Sequence, residues 1–273
     1  MTQLNVALIQ TRTPATQAAA LEQLSPLVRQ AADAGAQLIA TPEGSNFLQR
    51  AKAAFTAQAR AAEDDPVVQA AERWARELNV WFLLGSALVR RPDGLFANRS
   101  LLFSPQGEIA GYDKIHMFDV DLPTGERHRE SALYTPGEAA VVAQTPWGGL
   151  GMSVCYDIRF PHLYRAYAKA GAAMMTVPAA FTRPTGEAHW EVLLRARAIE
   201  NGAYVLAPAQ GGFHEDGRGT WGRSTIVAPW GEVVAKADHD EPCVLSATLD
   251  LEAVAKARAA VPSLANERAF EGP

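Results

Sequence analysis

Gly151-Met152-Ser153-Val154-Cys155-Tyr156-Asp157-Ile158-Arg159-Phe160-Pro161 is the stretch around which the chain is organised. An apolar run from Gly149 to Val154 stops at a cysteine, and polar residues and a proline follow at once. The pattern predicts a buried strand that delivers Cys155 to a sharp turn ahead of a helix. In an α/β sheet the C-terminal end of a strand borders the crevice where ligands bind, and the free N–H groups opening the next helix favour an anion. A thiol held there is presented for chemistry. A cysteine taken alone is more often a small buried hydrophobe, so its meaning depends on partners elsewhere.

Working outward, Val141-Val142 and Gly149 to Val154 read as a hairpin, followed by helix from Phe160 to Ala170, strand from Ala172 to Pro178, helix from Glu187 to Asn201 and strand from Ala203 to Pro208. This βαβα rhythm predicts partly parallel pairing with right-handed crossovers. Toward the N-terminus, Leu4 to Gln10 is an aliphatic run with little alternation, as a strand covered on both faces requires. Leu21, Leu24 and Val28 recur at helical spacing before a stop at Gly35. The strand Gln37 to Ala40 must end at Thr41-Pro42-Glu43-Gly44, because proline cannot extend a ladder, and Glu43 then falls at its C-terminal rim.

Asp65-Pro66 predicts an N-cap and first helical residue, with helix running to about Leu78. Val80 to Ala87, Phe96 to Phe103 and Glu108 to Tyr112 predict antiparallel strands joined by turns at Arg91-Pro92-Asp93-Gly94 and Ser104-Pro105-Gln106-Gly107. Lys114 lies just past the last of them. Phe118 to Pro136 is a long polar segment with a charged patch from Glu126 to Glu130, the kind of loop that shapes a site. Strands at Gly222 to Pro229, Gly231 to Ala235 and Val244 to Leu249, a helix from Leu251 to Ala260 and a tail from Val261 to Pro273 complete the chain. About a dozen strands with several helices do not fit one flat sheet, so two sheets face to face with helices outside is the expected packing.

A chain of 273 residues with 48% hydrophobic content can bury a large core, and we expect one domain, 1–273. A formal charge of −5 gives no basic field for nucleic acid or an anionic membrane, which points to small-molecule chemistry. The two cysteines and six histidines show no metal-ligand spacing, so neither metal nor disulfide framework is expected. The N-terminus lacks the features of a secretory signal and no apolar run reaches membrane-spanning length, so the chain reads as cytoplasmic.

Glu43, Lys114 and Cys155 share one description, each a reactive type following a strand end near a turn. If those rims converge, Cys155 attacks a carbonyl carbon, Glu43 takes the thiol proton and later gives it to the departing amine, and Lys114 with the N–H of Tyr156 stabilises the oxyanion. Taken singly, the glutamate and lysine read more simply as solvated charges at turns.

The stretches Thr41-Pro42-Glu43, Gly111-Tyr112-Asp113-Lys114-Ile115-His116 and Val154-Cys155-Tyr156-Asp157-Ile158-Arg159-Phe160-Pro161 resemble, in order and separation, the Glu, Lys and Cys motifs of the nitrilase superfamily, the carbon–nitrogen hydrolases. The resemblance implies a Glu–Lys–Cys triad without metal or cofactor. It further implies an α/β fold, a four-layer αββα sandwich of two mixed β-sheets with helices outside, and pairing of sandwiches into a homodimer or higher homo-oligomer. It also implies a second glutamate, matched here by Glu130, which orients the Lys114 ammonium. Two neighbouring carboxylates raise the pKa of at least one, which suits Glu43 as a proton shuttle.

Phe181-Thr182-Arg183-Pro184-Thr185-Gly186-Glu187-Ala188-His189-Trp190-Glu191 resembles the branch containing deaminated glutathione amidases and omega-amidases. Those substrates carry carboxylates, which makes Arg159 and Arg183 candidate carboxylate binders, with Phe181 in a further rim loop running to Thr185. The loop Asp119 to Arg129 resembles the bacterial deaminated-glutathione-amidase-like group more than omega-amidase. The helix from Glu187 and the tail 261–273 are the implied dimer contacts. The alternatives are an omega-amidase, an N-carbamoyl-amine hydrolase or nitrilase using the same triad, and a catalytically idle binding protein of the same fold.

Overall fold

The aliphatic run near the N-terminus forms β1 (Gln3–Gln10), and its side chains divide between two cores. Leu4, Val6 and Leu8 face one and Ala7 and Ile9 the other, which is why the run shows no alternation. Each fully buried leucine there contributes about 1.5–3 kcal/mol. The structure is a computed structural model describing residues 2–123 and 125–272. Met1, Thr124 and Pro273, which belong to the expected domain, loop and tail, lie outside the described residues.

In chain order β1 leads to α1 (Gln17–Asp33), β2 (Leu38–Ala40), α2 (Lys52–Gln58), α3 (Pro66–Glu77), β3 (Trp81–Arg90), β4 (Phe96–Ser104) and β5 (Gly107–Asp113). A short ribbon, β6 (Asp119–Asp121) and β7 (Arg127–Arg129), precedes β8 (Val141–Thr145), β9 (Gly148–Met152), α4 (Pro161–Lys169), β10 (Ala172–Thr176), α5 (Arg183–Asn201) and β11 (Tyr204–Ala207). A second ribbon, β12 (Gly211–Phe213) and β13 (Gly219–Trp221), is followed by β14 (Thr225–Val227), β15 (Val233–Lys236), β16 (Cys243–Asp250) and α6 (Glu252–Ala260).

Two six-stranded mixed sheets result, ordered β16-β1-β2-β3-β4-β5 and β15-β14-β11-β10-β9-β8. Their parallel centres are β1-β2-β3 and β9-β10-β11, and the remaining pairings are antiparallel. Leu8 and Leu83 of the first sheet meet Leu150, Met174 and Leu206 of the second in the core between them. Ile9 and Phe82 turn outward onto Val28 of α1 and Trp74 of α3, while α4 and α5 cover the second sheet. This is the expected αββα arrangement. Among the described residues no helix is long and apolar enough to cross a membrane.

The α3 N-terminus forms as its sequence predicts. Asp65 Oδ1 accepts from the N–H groups of Val67 and Val68 at 2.9 and 3.2 Å, a cap worth about 1 kcal/mol. Oδ2 of the same carboxylate accepts from Asn46 at 2.8 Å, and Asn46 in turn accepts from the N–H of Leu88 at 2.9 Å. The segment after Glu43 is thereby fixed to both α3 and β3. A Cβ on Gly85 would lie 1.6 Å from the Thr41 carbonyl oxygen, so only glycine lets β3 approach the Thr41-Pro42-Glu43 turn.

Three expectations differ from the structure. The segment Phe118 to Pro136 contains the β6–β7 ribbon and a 3₁₀ turn at Glu130–Ala132. Phe181 to Thr185 is not all loop, because α5 already begins at Arg183 with Pro184 in its first turn, where a missing N–H costs nothing. The strand expected over Gly222 to Pro229 shrinks to Thr225–Val227, since Gly219–Trp221 pairs with Gly211–Phe213 and Gly222 turns the chain with φ 68°.

Candidate active site

β9 delivers Cys155 to a 3₁₀ turn, Cys155–Arg159, that leads into α4. The cysteine has φ 51°, in the left-handed region that costs a non-glycine residue energy unless its surroundings impose it. Those surroundings are visible. The Cys155 N–H donates to the Pro178 carbonyl at 2.8 Å, tying the turn to the end of β10. Asp157, fully buried, accepts at Oδ2 from the Val154 N–H at 2.8 Å and the Tyr112 hydroxyl at 2.7 Å. Its Oδ1 accepts from the His116 N–H at 3.0 Å and lies 2.7 Å from His116 Nδ1. One carboxylate thus joins the cysteine turn to the strand end that carries Lys114. The Tyr156 N–H lies in the first turn, where helical geometry supplies no acceptor.

Glu43, Lys114 and Glu130 meet beside the thiol. Lys114 Nζ lies 3.0 Å from Glu43 Oε1 and 2.8 Å from each oxygen of Glu130, with 2% of its side chain exposed. Glu43 Oε2 accepts from the Ala180 N–H at 2.8 Å, and its Oε1 also accepts from Asn98 Nδ2 at 2.8 Å. The Cys155 thiol lies beside Glu43, close enough for the carboxylate to act on its protonation. Glu130 Oε2 further accepts from the Phe118 N–H at 2.6 Å.

Burial alone would lift the Glu43 pKa, but Lys114, the neighbouring Cys155 thiol and the Asn98 amide outweigh it and hold the carboxyl below its usual range. Burial works against the Lys114 ammonium, yet Glu130 and Glu43 keep its pKa well above normal. Burial and then the Glu43 charge push the Cys155 thiol well up. The resting site therefore holds a neutral thiol against an ionised glutamate. Glu130 is the carboxyl whose pKa is raised, by burial and by the neighbouring Glu43 charge against the pull of Lys114. The expectation that a raised pKa would suit Glu43 is corrected, because Lys114, Cys155 and Asn98 together outweigh burial at Glu43, whereas burial and the Glu43 charge prevail at Glu130. Such a base accepts a proton as the thiol attacks and returns it to a leaving amine.

These side chains line a cavity of about 390 Å³. Tyr156 and Phe181 line it too, whereas Arg159 and Arg183 do not. Arg159 lies over the rings of Tyr156 and Phe181, with Nη2 3.2 Å from His189 Nδ1. Arg183, the first residue of α5, is ion-paired to Asp240 at 2.6 Å and stacked on Phe213. The lining arginines are Arg50, Arg127, Arg129 and Arg218. Two of these belong to the charged patch already visible in the sequence. Arg218 had no such signal, because the second ribbon that carries it was not legible as paired strands.

Sequence reasoning also missed Asn98 and Gln210. Asn98, on β4, accepts the Lys114 N–H at 2.9 Å on its carbonyl while its amide holds Glu43. Gln210 Nε2 donates to the Glu43 carbonyl at 2.9 Å and to Thr13 Oγ1 at 2.7 Å. Neither stands in a reactive motif, and only tertiary pairing brings them to the site. A larger groove of about 950 Å³ runs between α3 and β5, away from these groups. Among the described residues no group of three or more His, Cys, Asp or Glu is arranged to hold a metal ion.

Comparison with known proteins gives a family model described as carbon-nitrogen hydrolase, matching residues 5–259. A deaminated glutathione amidase of Yersinia enterocolitica is 42% identical over 98% of this chain and 94% of its own length. Omega-amidase NIT2 of Xenopus tropicalis is 35% identical over 96% of this chain and 94% of its own. Among solved structures, the C. elegans NitFhit protein superposes with a TM-score of 0.91 at 32% identity, over 98% of this chain and 66% of that longer one.

Proposed function

The chain belongs to the carbon–nitrogen hydrolase family, and from that premise we propose that it is a cysteine-dependent amidase of small carboxylate-bearing amides, with deaminated glutathione as its substrate. The observation that carries this reading is the convergence of Cys155, Glu130 and a Glu43 carboxylate 3.0 Å from Lys114 on one cavity lined by arginines. Cys155 attacks the amide carbon as Glu43 takes its proton, and Lys114 with the Tyr156 N–H receives the developing oxyanion. Glu43 then protonates the leaving amine, which departs and leaves an acyl thioester on Cys155. Water deprotonated by Glu43 hydrolyses the thioester, and the proton returns to the thiol. Glu130 orients the Lys114 ammonium throughout. The steps balance without metal or cofactor.

The same reading takes 1–273 as one domain working in the cytoplasm as a homodimer, paired through α5 and the tail at 261–273. Val192 and Ile199 on α5, 68% and 54% exposed, support that contact. A second reading, omega-amidase, draws on the 35% identical relative. A product assay with deaminated glutathione and 2-oxoglutaramate separates the two. Release of cysteinylglycine with little ammonia is the expected result. Dominant ammonia release favours omega-amidase, and silence on both substrates overturns the carboxylate-amide reading.

A further inference from the structure

We infer that Arg218, aligned by Asp216 and lining the catalytic cavity beside Tyr134, is the specificity residue that receives the substrate's carboxylate. The inference rests on the amidase reading of the same site. The reacting end of the cavity holds one ammonium between two carboxylates, Glu43 and Glu130, while the thiol is neutral. A substrate carboxylate is repelled there, yet the amide carbon must lie against Cys155. The anionic end has to be met by a cation elsewhere in the lining.

Among the lining arginines, Arg127 and Arg129 have side chains 81% and 50% exposed and are already engaged by Asp121, so solvent screens them. Arg50 is exposed as well. Arg218 is 24% exposed, and its partner Asp216 is 2% exposed. Asp216 Oδ2 accepts from Nε at 2.8 Å and lies 2.7 Å from Nη2, while Oδ1 accepts from the Arg218 backbone N–H at 3.1 Å. This clamp fixes the guanidinium by one edge, and Nη1 has no acceptor among the described residues. A half-buried arginine with one edge held and another open is pre-oriented for a carboxylate, at little entropic cost on binding.

Tyr134 adds a neutral donor. Its ring packs edge-on to Phe55 with centroids 5.5 Å apart, and its hydroxyl has no partner among the described residues. Burial, then the Glu130 charge, push its pKa up against the pull of Arg218, so it stays protonated within electrostatic reach of both.

Two measurements test the assignment. The first compares kcat/KM for a linear amide bearing a terminal carboxylate, glutaramate, with that for its neutral methyl ester. In Arg218→Met the preference for the anion falls about tenfold to a hundredfold, on the scale of a charge-assisted hydrogen bond, and Arg218→Lys falls between. The second titrates glutarate into the folded proteins by calorimetry, with the same ordering of affinities expected. An unchanged preference and unchanged glutarate affinity in Arg218→Met overturn the inference. If that variant does not fold, equal behaviour of Arg218→Lys and wild type overturns it. Wild-type protein that hydrolyses neither amide, yet binds glutarate through Arg218, refutes the amidase reading and leaves the Arg218 assignment standing.

Discussion

Replacing Lys114 with methionine tests whether its ammonium is what allows two carboxylates to share one buried site. Nζ makes contacts of 2.8, 2.8 and 3.0 Å to Glu130 and Glu43, with 2% of the side chain exposed. Methionine fills similar space but leaves the carboxylates facing each other without a cation, and breaking a buried pair in this way costs about 3–5 kcal/mol. For a domain of this size that is a fall in melting temperature of roughly 6–20 °C. The sign of its pH dependence follows from the same contacts. In the native protein Lys114 holds Glu43 below its usual pKa, so Glu43 contributes stability above the unfolded value that is lost as pH falls. In the variant, burial and like charge lift the pair instead, so its penalty grows as pH rises above about 4.3, the unfolded glutamate value. Differential scanning fluorimetry across that range should show wild type and variant nearly converging at about pH 4 and well separated at about pH 8. A gap independent of pH, or no gap at about pH 8, would refute the reasoning.

Two further perturbations follow from the same contacts. Glu43 must be ionised to take the thiol proton, so the acid limb of kcat/KM should lie below the ordinary glutamate value of 4.5. Asn98→Leu removes a donor from the ionised form and should move that limb upward while lowering kcat about tenfold, and a limb that stays put contradicts the role given to Asn98. Asp157→Asn sets an amide against the Val154 N–H and the Tyr112 hydroxyl, and should cost about 1–3 kcal/mol in urea unfolding together with a loss of kcat larger than any change in KM. Full stability in that variant would show that Asp157 does not brace the turn.

The layered fold was legible because its cues are local. The unalternating run at Leu4 to Gln10, the Asp65-Pro66 cap and the Pro-Asp-Gly turn each report covering or punctuation within a few residues. Strand ends before Pro or polar turns made Glu43, Lys114 and Cys155 candidates, the resemblance to the carbon–nitrogen hydrolase motifs singled them out, and the structure brings them together with Glu130. Neighbours defined by pairing across the fold were hidden. Asn98 lies mid-strand in β4 and is adjacent to Glu43 only because β2, β3 and β4 are consecutive in one sheet. Arg183 looked like a cavity arginine, yet Asp240, distant in sequence, holds it elsewhere. The short β12–β13 ribbon is Gly-rich, which masks strand periodicity and with it Arg218.

The covalent step on Cys155 is the centre of the account and can be observed directly. The measurement is rapid-quench mass spectrometry of the protein mixed with a carboxylate-bearing amide, in wild type and in Glu43→Gln, where loss of the base slows thioester hydrolysis as well as attack. A transient acyl adduct on the peptide containing Cys155, and no turnover in Cys155→Ala, are the expected results. Turnover that persists in Cys155→Ala, or an adduct on any other residue, would contradict it.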